Sequence, residues 1–303
     1  MKVDEYHLTK QVGQGSFGTV YQTQDKLIGS VAIKVFKQDG MNGADCALQL
    51  KRLNNEIVFG KQFSHPNLLK IYSGDVTSTP PYLIMELVEG CTLSTLLNSK
   101  KLTMPVCLQI MRQLTNAVAK LHTHKVLHRD IKPANILMQC TALGDMDTTL
   151  DIATLKLGDF GLACNMRHYG YRDSVEMASS ETFGQLYINL TKSNTIIGTA
   201  TYMAPEQRIQ SHVDQRADIY SVSVILAELL AMCSFGINTK CFRLKKLRGV
   251  YLRIPVEDSY LIPMPFLELL SDGLSIHLEF RPDNINTYIQ RMEDAFAKCL
   301  GNT

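Results

Sequence analysis

Twelve residues, Val126 to Leu137 (Val-Leu-His-Arg-Asp-Ile-Lys-Pro-Ala-Asn-Ile-Leu), constrain this chain more than any others. Apolar pairs bracket a polar core, the pattern of two short buried strands holding a rigid loop between them. The loop carries His128, Arg129, Asp130, Lys132 and Asn135: a carboxylate, two cations, an imidazole and an amide. Burying that many polar groups is costly unless they meet partners. A loop so composed, anchored on strands, is expected to face a ligand.

The rest of the chain has the means to build such an anchor. With 303 residues, 45% hydrophobic and 20% charged, it suits one large domain or two packed lobes rather than disorder. A net charge of +2 argues neither for nor against nucleic acid or a membrane surface. Eight cysteines lie scattered, without metal-ligand or redox spacing, and read as free thiols in a reducing compartment, the cytoplasm or nucleus. Met1 leads straight into Lys-Val-Asp-Glu, so no signal peptide is expected. The best apolar run, Val222 to Ile237, is broken by Glu228 and too short to span a bilayer; it reads as a core helix.

Upstream, glycines 13, 15 and 18 sit between two β-prone segments, in Val12-Gly13-Gln14-Gly15-Ser16-Phe17-Gly18-Thr19-Val20. A hairpin tip without Cβ atoms can lay backbone N–H groups over phosphates. A plain hairpin or a dinucleotide-binding turn fits the glycines alone equally well, but the latter needs a helix next, and Thr19 to Gln24 reads as strand. Val31 to Phe36 is a second strand, whose period of two puts Ala32, Lys34 and Phe36 on one face. Cys46 to Phe63 reads as a helix in which Glu56 is the one acid, and therefore the natural partner for Lys34. Tyr82 to Val88 is another strand. Beyond it the pattern turns helical: Thr92 to Asn98, then Pro105 to His124 with Ile110, Leu114, Val118 and Leu121 at helical spacing. Leu155 to Leu162 contains Asp159-Phe160-Gly161, and Ala204-Pro205-Glu206 precedes a nearly all-round apolar helix from Asp218 to Leu230. Asn284 to Lys298 closes the chain as a helix.

In order, G-x-G-x-x-G-x-V, V-A-I-K, H-R-D-x-x-x-x-N, D-F-G and A-P-E resemble the motifs of eukaryotic-type serine/threonine protein kinases over residues 6 to 297. The resemblance implies an α+β, bilobal protein-kinase-like fold in one kinase domain, 1–303. It has an antiparallel β-sheet N-lobe with one main helix (6–88), a mainly α-helical C-lobe (89–297) and an activation segment (159–206). It implies ATP and Mg2+ as cofactors. Lys34, held by Glu56, would grip the α- and β-phosphates; Asp130 would orient the acceptor hydroxyl; Lys132 would steady the transferring group; Asn135 and Asp159 would hold magnesium. Val12, Gly13, Gln14, Gly15, Ser16, Phe17, Gly18, Val20, Ala32, Met85, Glu86, Val88 and Leu137 would line the nucleotide site, with main-chain contacts at Glu86 and Val88 to the adenine edge. Glu206 should pair with Arg281, and Asp218 should brace the catalytic-loop backbone.

Lys132 and Thr199 match serine/threonine rather than tyrosine kinases. The expected partner is a protein substrate, with an upstream kinase or activating partner; neither nucleic acid nor a membrane span is expected. Thr195, then Ser193, are the expected activation-loop phosphoacceptors, with Arg129 as a cation for the phosphate. Thr92 and Ala134 stand where kinases preferring basic substrates often carry acids. Several departures matter. Gly60, one turn after Glu56, replaces the apolar side chain expected to pack on Phe160, so the helix should be loosely seated and Gly60→Leu should raise basal activity. Ser223 stands where relatives usually have glycine. Cys140 to Thr154 is a surface excursion, and Arg243 to Arg248 a basic run. A pseudokinase scaffold is the main rival reading, but Lys34, Asp130 and Asp159 are all present; a small-molecule phosphotransferase would lack Ala-Pro-Glu.

Overall fold

The computed structural model describes residues 2–15, 18–37, 42–98, 102–140, 152–166, 201–208, 213–233, 241–243 and 261–301. Strands β1 (Lys2–Val3), β2 (Tyr6–His7), β3 (Lys10–Gly15), β4 (Gly18–Asp25) and β5 (Gly29–Phe36) lead to helix α1 (Gly43–Gln62). Then come β6 (Ile71–Asp75), β7 (Tyr82–Glu86) and β8 (Gly90–Thr92). Helices α2 (Leu93–Leu97) and α3 (Met104–Thr123) precede β9 (Val126–Leu127), β10 (Ile136–Cys140), β11 (Ile152–Leu157) and β12 (Cys164–Asn165). The chain finishes with α4 (Pro205–Arg208), α5 (Arg216–Ala231), β13 (Cys241–Arg243), β14 (Leu261–Pro263), α6 (Leu267–Gly273) and α7 (Ile285–Leu300).

These elements form two compact units. The first comprises Met1–Cys91 and Leu137–Ala163; the second comprises Thr92–Ile136 and Cys164–Thr303. The first is built on an antiparallel sheet in the order β3-β4-β5-β7-β6. Alternation along β5 feeds two apolar layers. Ala32 and Phe36 join Leu53 of α1, Leu69, Ile71, Leu83 and Met85 on one face. Val31, Ile33 and Val35 join Val3, Tyr82 and Ile84 on the other. Helix α1 starts three residues before the apolar pattern does, because the Asn42 side chain accepts the Asp45 N–H at 2.8 Å and caps it.

The second unit is organised on α5, whose residues from Ala217 to Leu230 are all buried, as a helix apolar on nearly every side requires. The expected core helix thus lies at Arg216–Ala231, with residues 234–237 outside the described set. Buried Ile110, Leu114, Val118 and Leu121 line α3, and Arg112 reaches Glu293 of α7 through two 2.6 Å hydrogen bonds. Phe266 meets Phe296 edge-on at 4.9 Å. Asn284 caps α7, accepting the Thr287 N–H at 2.9 Å. Among the described residues no helix is long and apolar enough to cross a membrane, and Cys46, Cys91, Cys107, Cys164, Cys233 and Cys299 are not joined in disulfides.

Candidate active site

In the first unit, β3 and β4 make the glycine hairpin, with Gly13 opposite Val20 and Gly15 opposite Gly18. A Cβ at Gly18 would lie 2.5 Å from the Val35 carbonyl oxygen, so this glycine is demanded by sheet packing whatever the hairpin binds. Gly13 and Gly15 face no such crowding, which leaves their backbone freedom for a ligand. Ser16 and Phe17 lie outside the described residues. Val20, Ala32, Met85, Val88 and Leu137 come together in one apolar cluster, from four separate stretches of chain. Val12 is exposed. The Glu86 side chain accepts the Lys70 N–H at 2.6 Å and pairs with Lys156 at 2.9 Å, a brace that motif reading missed.

Lys34 Nζ lies 2.9 and 3.2 Å from the two Glu56 carboxylate oxygens. Burial, countered by the Lys34 cation and reinforced by the Asp159 carboxylate, holds Glu56 above the usual carboxylate range. The three side chains expected to handle phosphate charge therefore share one unit and sense one another. Asp159 has φ 65°, a left-handed conformation that strains a non-glycine residue, and its carboxylate accepts the Gly161 N–H at 3.4 Å.

Helix α1 is not loosely seated, which corrects the reading of Gly60. A Cβ on Gly60 would lie 2.2 Å from Ile71 Cγ1, so the glycine lets α1 press directly onto β6. Phe160 is fully buried, its ring 6.5 Å from that of Phe63. The space presumed vacant is filled from the opposite side, and leucine at position 60 would push the helix away.

In the second unit the Asp130 carboxylate receives Lys132 Nζ at 2.8 and 3.0 Å and Asn135 Nδ2 at 3.0 Å. The Asn135 amide nitrogen also donates to the Asp130 carbonyl at 2.8 Å, so its carbonyl oxygen is the atom that would meet a metal if one bound. The backbone beneath is fixed by Asp218, which accepts the His128 N–H at 3.0 Å and the Arg129 N–H at 2.9 Å, as expected. His122 Nε2 adds a third bond to Asp218 at 2.9 Å. Burial would raise the Asp218 carboxyl, but His122, helped by His128 and its N–H, outweighs it and holds Asp218 below the usual range. The signal for His122 was present: it lies one turn beyond Val118 on the buried stripe of α3, where a histidine needs a polar partner.

Glu206 and Arg281 form the expected pair, two hydrogen bonds of 2.7 and 2.9 Å. Ser223 bonds its hydroxyl to the Ile219 carbonyl at 2.8 Å, and a Cβ at Gly273 would collide with it at 2.1 Å, so the glycine has moved to the facing helix. Ser193, Thr195 and Thr199 lie outside the described residues, as do 141–151 and 244–248.

Asp159, in the first unit, and Asn135, in the second, each offer a hard oxygen of the kind magnesium takes. Among the described residues no three His, Cys, Asp or Glu side chains could hold a metal together.

The protein kinase domain model matches residues 6–271, and the chain belongs to that family. It is 31% identical over 230 residues to the probable serine/threonine-protein kinase PknB of Lactococcus lactis, covering 75% of this chain and 31% of that one. It is 28% identical over 272 residues to the serine/threonine-protein kinase Nek2 of Mus musculus, covering 85% and 54%. The chain thus spans about a third to a half of these relatives. The crystal structure of the Mycobacterium tuberculosis PknI kinase domain matches with a TM-score of 0.63 at 18% identity, over 97% of this chain and 98% of that one. The fold is accordingly the α+β protein kinase fold, with a sheet-based unit and a mainly helical one.

Proposed function

We propose that this chain is an ATP- and magnesium-dependent serine/threonine protein kinase. The observation that carries the reading is Asp130, a carboxylate aimed by Lys132 and Asn135 on a loop whose backbone Asp218 holds. Bound magnesium-ATP would supply the transferable phosphoryl group. Asp130 orients the acceptor hydroxyl and takes its proton, while Lys132 stabilises negative charge beside it. Lys34, positioned by Glu56, would neutralise phosphate oxygens, and Asp159 and Asn135 would hold the metal. Val20, Ala32, Met85, Val88 and Leu137 would hold the adenine ring, and the Glu86 and Val88 main chain would hydrogen-bond it. The loose transition state of phosphoryl transfer makes placement and charge the main sources of acceleration.

Lys132 and the named relatives favour serine and threonine acceptors on protein substrates. Regulation by an upstream kinase or activating partner acting on the activation segment is part of the proposal, as is a reducing compartment, in keeping with those unbridged cysteines. Incubation with radiolabelled magnesium-ATP and dephosphorylated casein, followed by phosphoamino-acid analysis, tests the reading. Label on serine or threonine that disappears with Asp130→Ala is the expected result. Label unaffected by that change, or none with the wild type, overturns it.

A further inference from the structure

Arg129, immediately before Asp130, has φ 67°, the left-handed region that disfavours any residue with a Cβ. Such a residue keeps its conformation only when its surroundings hold it there. One end is accounted for: the Arg129 N–H donates to Asp218. The other end, the Arg129 carbonyl, accepts a hydrogen bond at 3.1 Å from Nε2 of Gln207, the residue after Ala-Pro-Glu. Gln207 Oε1 meanwhile accepts the Ala204 N–H, also at 3.1 Å. Both ends of one amide are thus committed, and each partner dictates which end faces it, since an N–H must meet the oxygen and a carbonyl the nitrogen.

We propose that Gln207 is a positioning residue: it couples the end of the activation segment to the catalytic loop by holding the Arg129 carbonyl and so fixes the direction in which Asp130 leaves the strained residue. The proposal rests on the kinase reading. It also gives the Ala-Pro-Glu segment an effect on the catalytic base separate from the Glu206–Arg281 pair. Asparagine, one methylene shorter, cannot reach both partners. Methionine fills the space but makes neither bond. Glutamate keeps the acceptor for Ala204 yet sets a carboxylate oxygen against the Arg129 carbonyl; once protonated, it can donate as glutamine does.

Steady-state kinetics with magnesium-ATP and dephosphorylated casein test this in Gln207→Met and Gln207→Glu, with thermal melting as the folding control. Methionine should lower kcat about tenfold, the equivalent of losing the one hydrogen bond to the Arg129 carbonyl, with KM for ATP unchanged. Glutamate should lower it further at neutral pH and recover relative to wild type as the pH falls and its carboxyl protonates, a profile that loss of packing alone would not produce. Hydrogen exchange of the amides in residues 126–135 should speed up in both variants, a readout independent of turnover. An inactive wild type would defeat the kinase reading while leaving the exchange measurement decisive for Gln207. Wild-type kcat, or unaltered exchange, in both folded variants overturns the proposal. If methionine prevents folding, the pH profile of the near-isosteric glutamate variant decides alone.

Discussion

Two buried ion pairs, one in each unit, show how different jobs are written in the same chemistry. Glu206–Arg281 is bidentate, and Arg281 spends two of its other donors on the Ser275 carbonyl at 2.8 Å and the Arg216 carbonyl at 3.2 Å. Its guanidinium also lies 5.0 Å from the Tyr220 ring, and its side chain is 0% exposed. Lys34–Glu56 is a point charge against a carboxylate, with Lys34 19% exposed and Glu56 pushed towards its neutral form. A guanidinium fork with four of its five N–H donors committed to three partners does not readily change them. An ammonium on a flexible stem, partly exposed and paired with an acid whose burial disfavours its charge, changes its partner more readily. The first pair is fastened; the second keeps the freedom that the proposed sharing of Lys34 with phosphate requires.

The sharpest test compares the two pairs by removal. Arg281→Ala should destabilise the protein by about 3–5 kcal/mol in urea unfolding, because it removes the counter-charge of a buried Glu206. Lys34→Met should cost less than half of that, since Glu56 can protonate, yet should abolish measurable phosphotransfer. Equal losses of stability would erase the distinction drawn between them.

A smaller effect is expected at Gly60. Gly60→Ala should destabilise by about 1–3 kcal/mol, overpacking against Ile71 outweighing the gain in helix propensity. It should also lower activity by lifting Glu56 from Lys34. Adding Gly60→Ala to Ile71→Ala should instead be neutral or stabilising, a sign reversal visible in a double-mutant cycle. A gain in activity for the single variant would restore the idea of a loosely held α1.

The smallest effect is the pH response of the loop's anchor. Asp218 has a folded value below its ordinary 3.8, so its contribution is fully present above that value and is lost as pH falls through the folded one. The stability gap between wild type and Asp218→Asn should therefore persist from neutrality to about pH 5 and narrow only in stronger acid. Narrowing already between pH 7 and 5 would mean that Asp218 is not held ionised by its neighbours.

Much of this was legible because the chemistry is packed into short contiguous motifs. Lys34, Asp130 and Asp159 announce themselves by their immediate neighbours, and Glu206–Arg281, 75 residues apart, followed from the resemblance. What stayed hidden depends on contacts that no local pattern records. Lys156 reaches Glu86 across the sheet unit, and Gln207 meets Arg129 through a loop. Gly60 was misread for a related reason: a missing side chain looks like a gap in a sequence, whereas in the fold Ile71 already fills it.

The first unit is discontinuous: the chain departs after Cys91 and returns for Leu137–Ala163. The returning stretch closes main-chain and side-chain bonds that the earlier one leaves open. The Leu69 N–H reaches the Leu157 carbonyl, the Leu157 N–H reaches the Asn67 carbonyl, and the Asn67 amide reaches the Leu155 carbonyl. A fragment ending at residue 91 would carry the glycine hairpin and Lys34 but expose this raw edge and lack Asp159. Dissection of the molecule must therefore respect a thread that leaves and comes back, and a viable split-kinase pair would have to carry residues 137–163 with the sheet they complete.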